Sequence, residues 1–459
     1  MSFLDREAIV AKPGYSRWMF PPAAIAVQMC IGQVYAFSVF NVPLTKLIGK
    51  TASIKDQDWT IVQVGYIYQL ALILLGLSAA IFGKWVERSG PRKTMVTSAL
   101  CFCGGLWIAA IGVAYHQLWL LLLGYGLIGG IGLGMGYIAP VSTLIKWFPD
   151  RPGMATGFAI MGFGSGALIG SPLATILMSH FRMADPNGTV GVGEAFLVMG
   201  AIYLVLMLFG AAIARVPAPD WKPEGWTPPA KSTNAMVTSG SVSADEAIKT
   251  PQFWLLWIVL CMNVSAGIGI LGQASLMVQD MFGVTAVVGT GFVGLLSIFN
   301  MAGRFVWSST SDATGRKGIY IIYFLLGICL YLTIPFAQKS GFQLLFVAAC
   351  CVIISMYGGG FATIPAYLRD MFGTYQVGAI HGRLITAWSL AAVIGPLTLN
   401  SISTYKKEHG VPKAEAYNEV MYICVGLLLV GLVANLLVRP VDPSHYVQDP
   451  SAKPEPATH

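Results

Sequence analysis

Gly83–Lys93 reads GKWVERSGPRK, and Ser308–Lys317 reads SSTSDATGRK. Each is a short polar stretch between two long apolar runs, with a carboxylate (Glu87, Asp312), then a glycine (Gly90, Gly315), then an Arg-Lys pair. Gly90 and Gly315 lie 225 residues apart, and the same offset relates Gly134 to Gly359, Pro140 to Pro365, Gly153 to Gly378, Gly157 to Gly382 and Gly170 to Gly395. Chance coincidences would scatter over many offsets. The chain therefore reads as a duplicated unit, and parallel repeats of this sort are typical of secondary transporters, with the substrate site between the repeats.

Outward from these loops, composition requires a membrane. Of 459 residues 55% are hydrophobic and 11% charged, against about 25% charged in a soluble domain. Apolar runs long enough to span a bilayer predict twelve helices at 17–40, 60–82, 94–115, 118–145, 153–179, 195–214, 251–279, 287–309, 318–338, 342–368, 379–404 and 418–438. The expected fold is an all-α membrane protein of two six-helix, pseudo-symmetric bundles, residues 1–214 and 251–438. A polar linker rich in Pro, Ser and Thr (215–250) joins them, and a solvated tail (439–459) follows.

Counting basic residues in alternate loops assigns about 19 to one side and about 8 to the other, which predicts cytoplasmic N- and C-termini in a plasma (cell inner) membrane protein. The net charge of +7 is thus a topology signal, and no nucleic-acid partner is expected. The first apolar run is span-length and lacks a convincing cleavage site, so it is read as a helix and not a signal peptide. All eight cysteines fall in predicted spans without nearby His or carboxylate ligands, so neither disulfides nor metal are expected. Gly162-x-Gly164-x-Gly166 has no β-α-β surroundings and no Walker motif occurs, so a nucleotide cofactor is not expected either. These glycines, with Gly130, Gly132, Gly134 and Gly136, suit close approach of membrane helices.

Arg304 is the one charged residue deep inside a hydrophobic span. A guanidinium at mid-bilayer costs about 2.5–3.5 kcal/mol on insertion scales, so it marks a pathway or a ligand. Ser297, Asn300 and Arg304 recur on one helical face. The planar fork of Arg suits a carboxylate, to which it donates two parallel hydrogen bonds. Aromatic and amide residues complete a candidate cavity: Gln28, Gln33 and Tyr35, Gln63 and Tyr66, Tyr137, Tyr357 and Trp388.

The two loops resemble the G-x-x-x-D-x-x-G-R-K loop of the major facilitator superfamily, with Glu87 in place of Asp in the first copy and Ser308 in place of Gly in the second. The resemblance implies a gating latch at Glu87, Arg88, Arg92, Asp312 and Arg316, with Ser308 expected to loosen the second copy. Further motifs narrow it: GYIAPVSTLIKWFPDRPGMATGFAIMGFGSGALIGSP (Gly136–Pro172), GQVYAFSVFNVPL (Gly32–Leu44), FNMAGR (Phe299–Arg304), GGGFATIPAYLRDMFG (Gly358–Gly373) and TAWSLAAVIGP (Thr386–Pro396). These are similar to the oxalate/formate antiporter family, which is related to monocarboxylate transporters.

That resemblance implies that Arg304 holds a substrate carboxylate. Oxalate carriers of this kind bring a second cation from helix 11, and the aligned position here is Ala391. Proton-coupled relatives carry an Asp one turn before the Arg, where this chain has Asn300. The expectation is a monomeric, non-enzymatic carrier exchanging small monocarboxylates such as formate, lactate or pyruvate. Alternatives are an oxalate/formate antiporter, a symporter with protons as partners, and a transport-dead carboxylate sensor.

Overall fold

The computed structural model describes residues 3–47, 54, 56–185, 188–219, 221–227, 236–238, 240–412 and 415–447. Parts of the linker (220, 228–235 and 239) and of the tail (448–459) lie outside the described residues. Among the described residues, twelve helices are long and apolar enough to span a membrane: α1 (Arg17–Ala36), α2 (Ile61–Ser89), α3 (Pro91–Ala114), α4 (Leu118–Trp147), α5 (Pro152–Ala184), α6 (Val192–Ile213), α7 (Pro251–Phe282), α8 (Ala286–Thr314), α9 (Arg316–Lys339), α10 (Gln343–Phe372), α11 (Val377–Gly395) and α12 (Asn418–Leu437).

The duplication read from a few glycines governs whole elements. Adding 225 to the bounds of α2, α3 and α4 gives those of α8, α9 and α10. Packing repeats as well: α2 against α4 and α3 against α6 in the first half match α8 against α10 and α9 against α12 in the second. The halves meet along two equivalent seams, α5 with α8 and α2 with α11.

Local chemistry sets the helix ends. Thr60 and Gln63 form a reciprocal capping box that starts α2, and Thr250 and Thr285 cap α7 and α8. Gly90 (φ +82°) and Gly315 (φ +79°) turn the chain from the second to the third helix of each half in a conformation that disfavours a Cβ. The helices run past several predicted ends; α2 continues to Ser89, so the first quoted loop is mostly the last turns of a helix.

The family-like stretch WFPDR (Trp147–Arg151) is a structural clasp. Trp147 is fully buried between Tyr15 and Trp221, with ring centroids 5.4 and 4.7 Å away, and its indole donates to the Arg215 carbonyl. Asp150 pairs with Arg17 at 2.6 Å. The described part of the linker is docked: the Thr238 and Val242 amides donate to the carbonyls of Asp370 and Phe372, and the Val447 amide donates to the Ser241 carbonyl.

Candidate functional site

Arg304, on α8, is 1% exposed. Its Nε donates to Asn300 Oδ1 (3.1 Å), one turn earlier, and its Nη1 donates across the α5/α8 seam to the Ile160 carbonyl (3.2 Å). Nη2 is buried with no partner, and among the described residues no carboxylate pairs with the guanidinium. An unmet charged donor in such a place costs several kcal/mol, which an arriving anion would offset. Its Cζ lies 5.7 Å from the Phe163 ring and 5.5 Å from the Phe361 ring. Glycines make the room: a Cβ on Gly164 would come within 2.8 Å of Arg304 Nε, and one on Gly358 within 2.6 Å of Asn300 Oδ1.

Aromatic residues from both halves surround this charge. The Tyr35 and Tyr357 hydroxyls are hydrogen-bonded at 3.3 Å across the interface. Trp388 lies 6.0 Å from Tyr35, 5.8 Å from Tyr137, 5.5 Å from Phe163 and 4.8 Å from Phe361, centroid to centroid. His381, 1% exposed, lies 5.6 Å from Tyr137. Among the described residues, further polar atoms buried here without partners include Tyr137 Oη, Trp388 Nε1, His381 Nε2 and Gln28 Oε1. Gln28 stands behind the cage, its Nε2 donating to the Tyr137 carbonyl (2.8 Å).

Not every expected residue joins them. Gln33 faces the interior of the first bundle, where it accepts from the Tyr125 hydroxyl (3.4 Å) and lies against Gly170. Gln63 is spent on the α2 cap, and Tyr66 is exposed on the outside of α2. Phe163, Phe361 and His381 are not among the sequence candidates for the site. A signal for Phe163 exists, since it lies 225 residues before Trp388 and the two rings pack together. Applied to Arg304, the same offset gives Ala79, so the cation has no counterpart in the first half.

The duplicated loops close one end of both seams reciprocally. Asp312, at the end of α8, accepts from the Gly153 and Met154 amides at the start of α5, both at 2.9 Å. Glu87, at the end of α2, accepts from the Gly378 amide at the start of α11 (3.0 Å) and from Lys146 (2.5 Å). Glu87 and Gly153 are thus the repeat equivalents of Asp312 and Gly378, with partners exchanged across the interface. A carboxylate at a helix N-terminus is favoured by the helix dipole as well as by the amides it binds. Arg316 is buried between Asp312 (2.6 Å) and Asp370 (3.0 Å) and holds the first of these in place.

Two expected latch residues sit elsewhere. Arg92 is buried inside its own half and donates to the carbonyls of Ala211, Ala212 and Ala214, capping the end of α6. Its repeat equivalent is Lys317, which donates to Leu436 and Val438 at the end of α12. Arg88 is exposed and forms no ion pair among the described residues. The looseness expected at Ser308 is also absent: its carbonyl sits 2.2 Å from where a Cβ on Gly153 would be, and its hydroxyl turns back to the Arg304 carbonyl. Asp245 of the linker adds a strap, bound to Lys84 of α2 and, at 2.7 Å, to Arg383 of α11; the two cations lower its pKa to about 2.

Comparison with known proteins accords with this geometry. The Major Facilitator Superfamily model matches residues 24–396. The MFS-type transporter YhjX of Escherichia coli is 26% identical over 82% of this chain and 86% of its own length. The oxalate:formate antiporter of Oxalobacter formigenes is 26% identical over 83% of each chain. Apicoplast pyruvate carrier 1 of Toxoplasma gondii is 26% identical over 74% of this chain and 68% of its own. Among solved structures, the transporter FucP superposes with a TM-score of 0.60 at 14% identity, covering 90% of this chain and 98% of that one. The duplicated six-helix bundles and the family match over most of the chain together establish that this protein is a transporter of the Major Facilitator Superfamily.

Proposed function

We propose that this chain is a secondary carrier that exchanges small monocarboxylates across the plasma membrane by alternating access, as a monomer with both termini cytoplasmic. The observation that carries this reading is the buried Arg304, whose Nη2 has no partner among the described residues and whose guanidinium lies against the Phe163 and Phe361 rings, one from each half. A carboxylate accepting from that nitrogen would supply the missing counter-charge. The relatives named for oxalate, formate and pyruvate support the substrate class.

The choice of one carboxylate over two rests on charge. Among the described residues Arg304 is the only Lys or Arg in the cage, and Ala391 occupies the helix 11 position where the resemblance places a second cation. A second carboxylate would find no second Lys or Arg among the described residues of the cage to balance its charge, at a cost of several kcal/mol. Glu87 and Asp312 latch one end, and release of that latch would open the site to that side. The charge bias of the loops puts the latched end in the cytoplasm. Exchange in liposomes loaded with single carboxylates tests the reading: formate, lactate or pyruvate should support counterflow and oxalate should compete weakly. Oxalate displacing every monocarboxylate at lower concentration would reverse the assignment.

A further inference from the structure

Besides Arg304 Nη2, three polar atoms carried by rings of the cage are buried with no partner among the described residues. Tyr137 Oη comes from α4, while Trp388 Nε1 and His381 Nε2 come from α11. The ring of Tyr137 lies 5.8 Å from that of Trp388 and 5.6 Å from that of His381, which sets Tyr137 next to both. The side chains carrying these atoms are at most 2% exposed. Buried polar atoms are normally satisfied, and three orphans in one cluster amount to a cost that a ligand can remove.

The chemistry of the cluster is uncharged. An indole N–H only donates, a phenol donates or accepts, and an imidazole nitrogen does either according to its tautomer. Such a set fits a carbonyl or hydroxyl oxygen and offers no fixed charge to a second carboxylate. Phe163 and Phe361 bridge Arg304 and Trp388, since each packs against both. A ligand bound by both poles would therefore carry a carboxylate at one end, a short carbon body against these rings, and a neutral oxygen close by.

We infer that Tyr137, Trp388 and His381 form a second, uncharged pole that reads an oxygen on carbon 2 of the substrate, selecting 2-oxo and 2-hydroxy monocarboxylates over formate, acetate and propionate. The inference rests on Arg304 holding the carboxylate. A site built to hydrogen-bond a substrate oxygen rejects the analogue lacking it more strongly than an apolar pocket rejects a missing methylene, because its own polar groups are then left unpaired. Propionate is the discriminating ligand, as it differs from lactate by that single oxygen.

The test is competition binding to the purified full-length protein with lactate, pyruvate and propionate, reading the affinity ratio within each variant. The wild type should prefer lactate or pyruvate by about tenfold or more. The ratio should fall towards one in Tyr137→Phe and His381→Leu, with part of it restored in His381→Gln. Should those variants fail to fold, the wild-type ratio decides by itself. Lactate, pyruvate and propionate binding within about twofold of one another in the wild type, or a ratio untouched by every folded variant, would overturn the inference while leaving the carboxylate site standing. If the wild type binds none of the three acids, the carboxylate reading fails and this inference with it.

Discussion

Each nitrogen of the Arg304 guanidinium has a distinct environment: Nε meets Asn300, Nη1 meets the Ile160 carbonyl, and Nη2 has no partner among the described residues. Gly164 matters because a Cβ there would press on Nε at 2.8 Å and swing the fork. Gly164→Ala should weaken carboxylate binding about tenfold or more while the protein still folds, because misplacement of about 1 Å at a charge-assisted contact is costly; competition binding on the purified variant measures it. Arg304 is legible in the sequence because a charge in an apolar run has few explanations. Phe361 is not, since one more aromatic residue in a membrane helix carries no mark of the direction it faces. Arg92 misleads for a different reason: the inserted Pro91 aligns with Arg316, so the loop's Arg-Lys pairs are offset by one and Arg92 takes the capping place of Lys317.

Among elements, the seams of α5 with α8 and α2 with α11 are where, on the proposed reading, one end of the molecule is held closed. Asp312 binds two amides and Glu87 binds one amide and a lysine, so neutralising Asp312 should loosen the closed end more. In Asp312→Asn, a cysteine placed at Ala379, which is 1% exposed beside Gly83, should react with a soluble maleimide several-fold faster than in the parent; an unchanged rate would remove Asp312 from the latch. The linker strap has its own pH signature. Lys84 and Arg383 depress the Asp245 carboxyl to about 2, so its contribution is fully present above the ordinary carboxylate range and is lost only as pH falls through about 2. Asp245 is largely exposed, which limits the effect to under about 1 kcal/mol. The difference in thermal stability between the wild type and Asp245→Asn should therefore be small and constant from pH 5 to 8. The sequence indicates a polar linker, but it cannot show this docking, which depends on carbonyls at the end of α10 and cations on α2 and α11.

For the whole molecule, the offset of 225 is legible from a handful of glycines because those positions are where helices touch, and a duplicated contact surface needs the same small residue twice. On the proposed reading, what breaks the symmetry carries the function: Arg304 corresponds to Ala79 in the repeat, and Asn300 stands where the resemblance places a titratable Asp in proton-coupled relatives. A single fixed cation that is neutralised only by bound anion favours exchange, since the empty, charged bundle reorients at a higher cost. An imposed proton gradient alone should thus drive little uptake into empty liposomes, whereas an opposing carboxylate gradient should drive fast exchange; the reverse pattern would make the protein a symporter. The claim beneath all of this is that Arg304 binds the substrate carboxylate, and counterflow of a labelled monocarboxylate into preloaded proteoliposomes measures it most directly. The wild type should accumulate label transiently, Arg304→Lys should retain a small fraction of that rate because it keeps the charge without the fork, and Arg304→Ala should show none at equal reconstitution. Counterflow by Arg304→Ala at the wild-type rate would contradict the account.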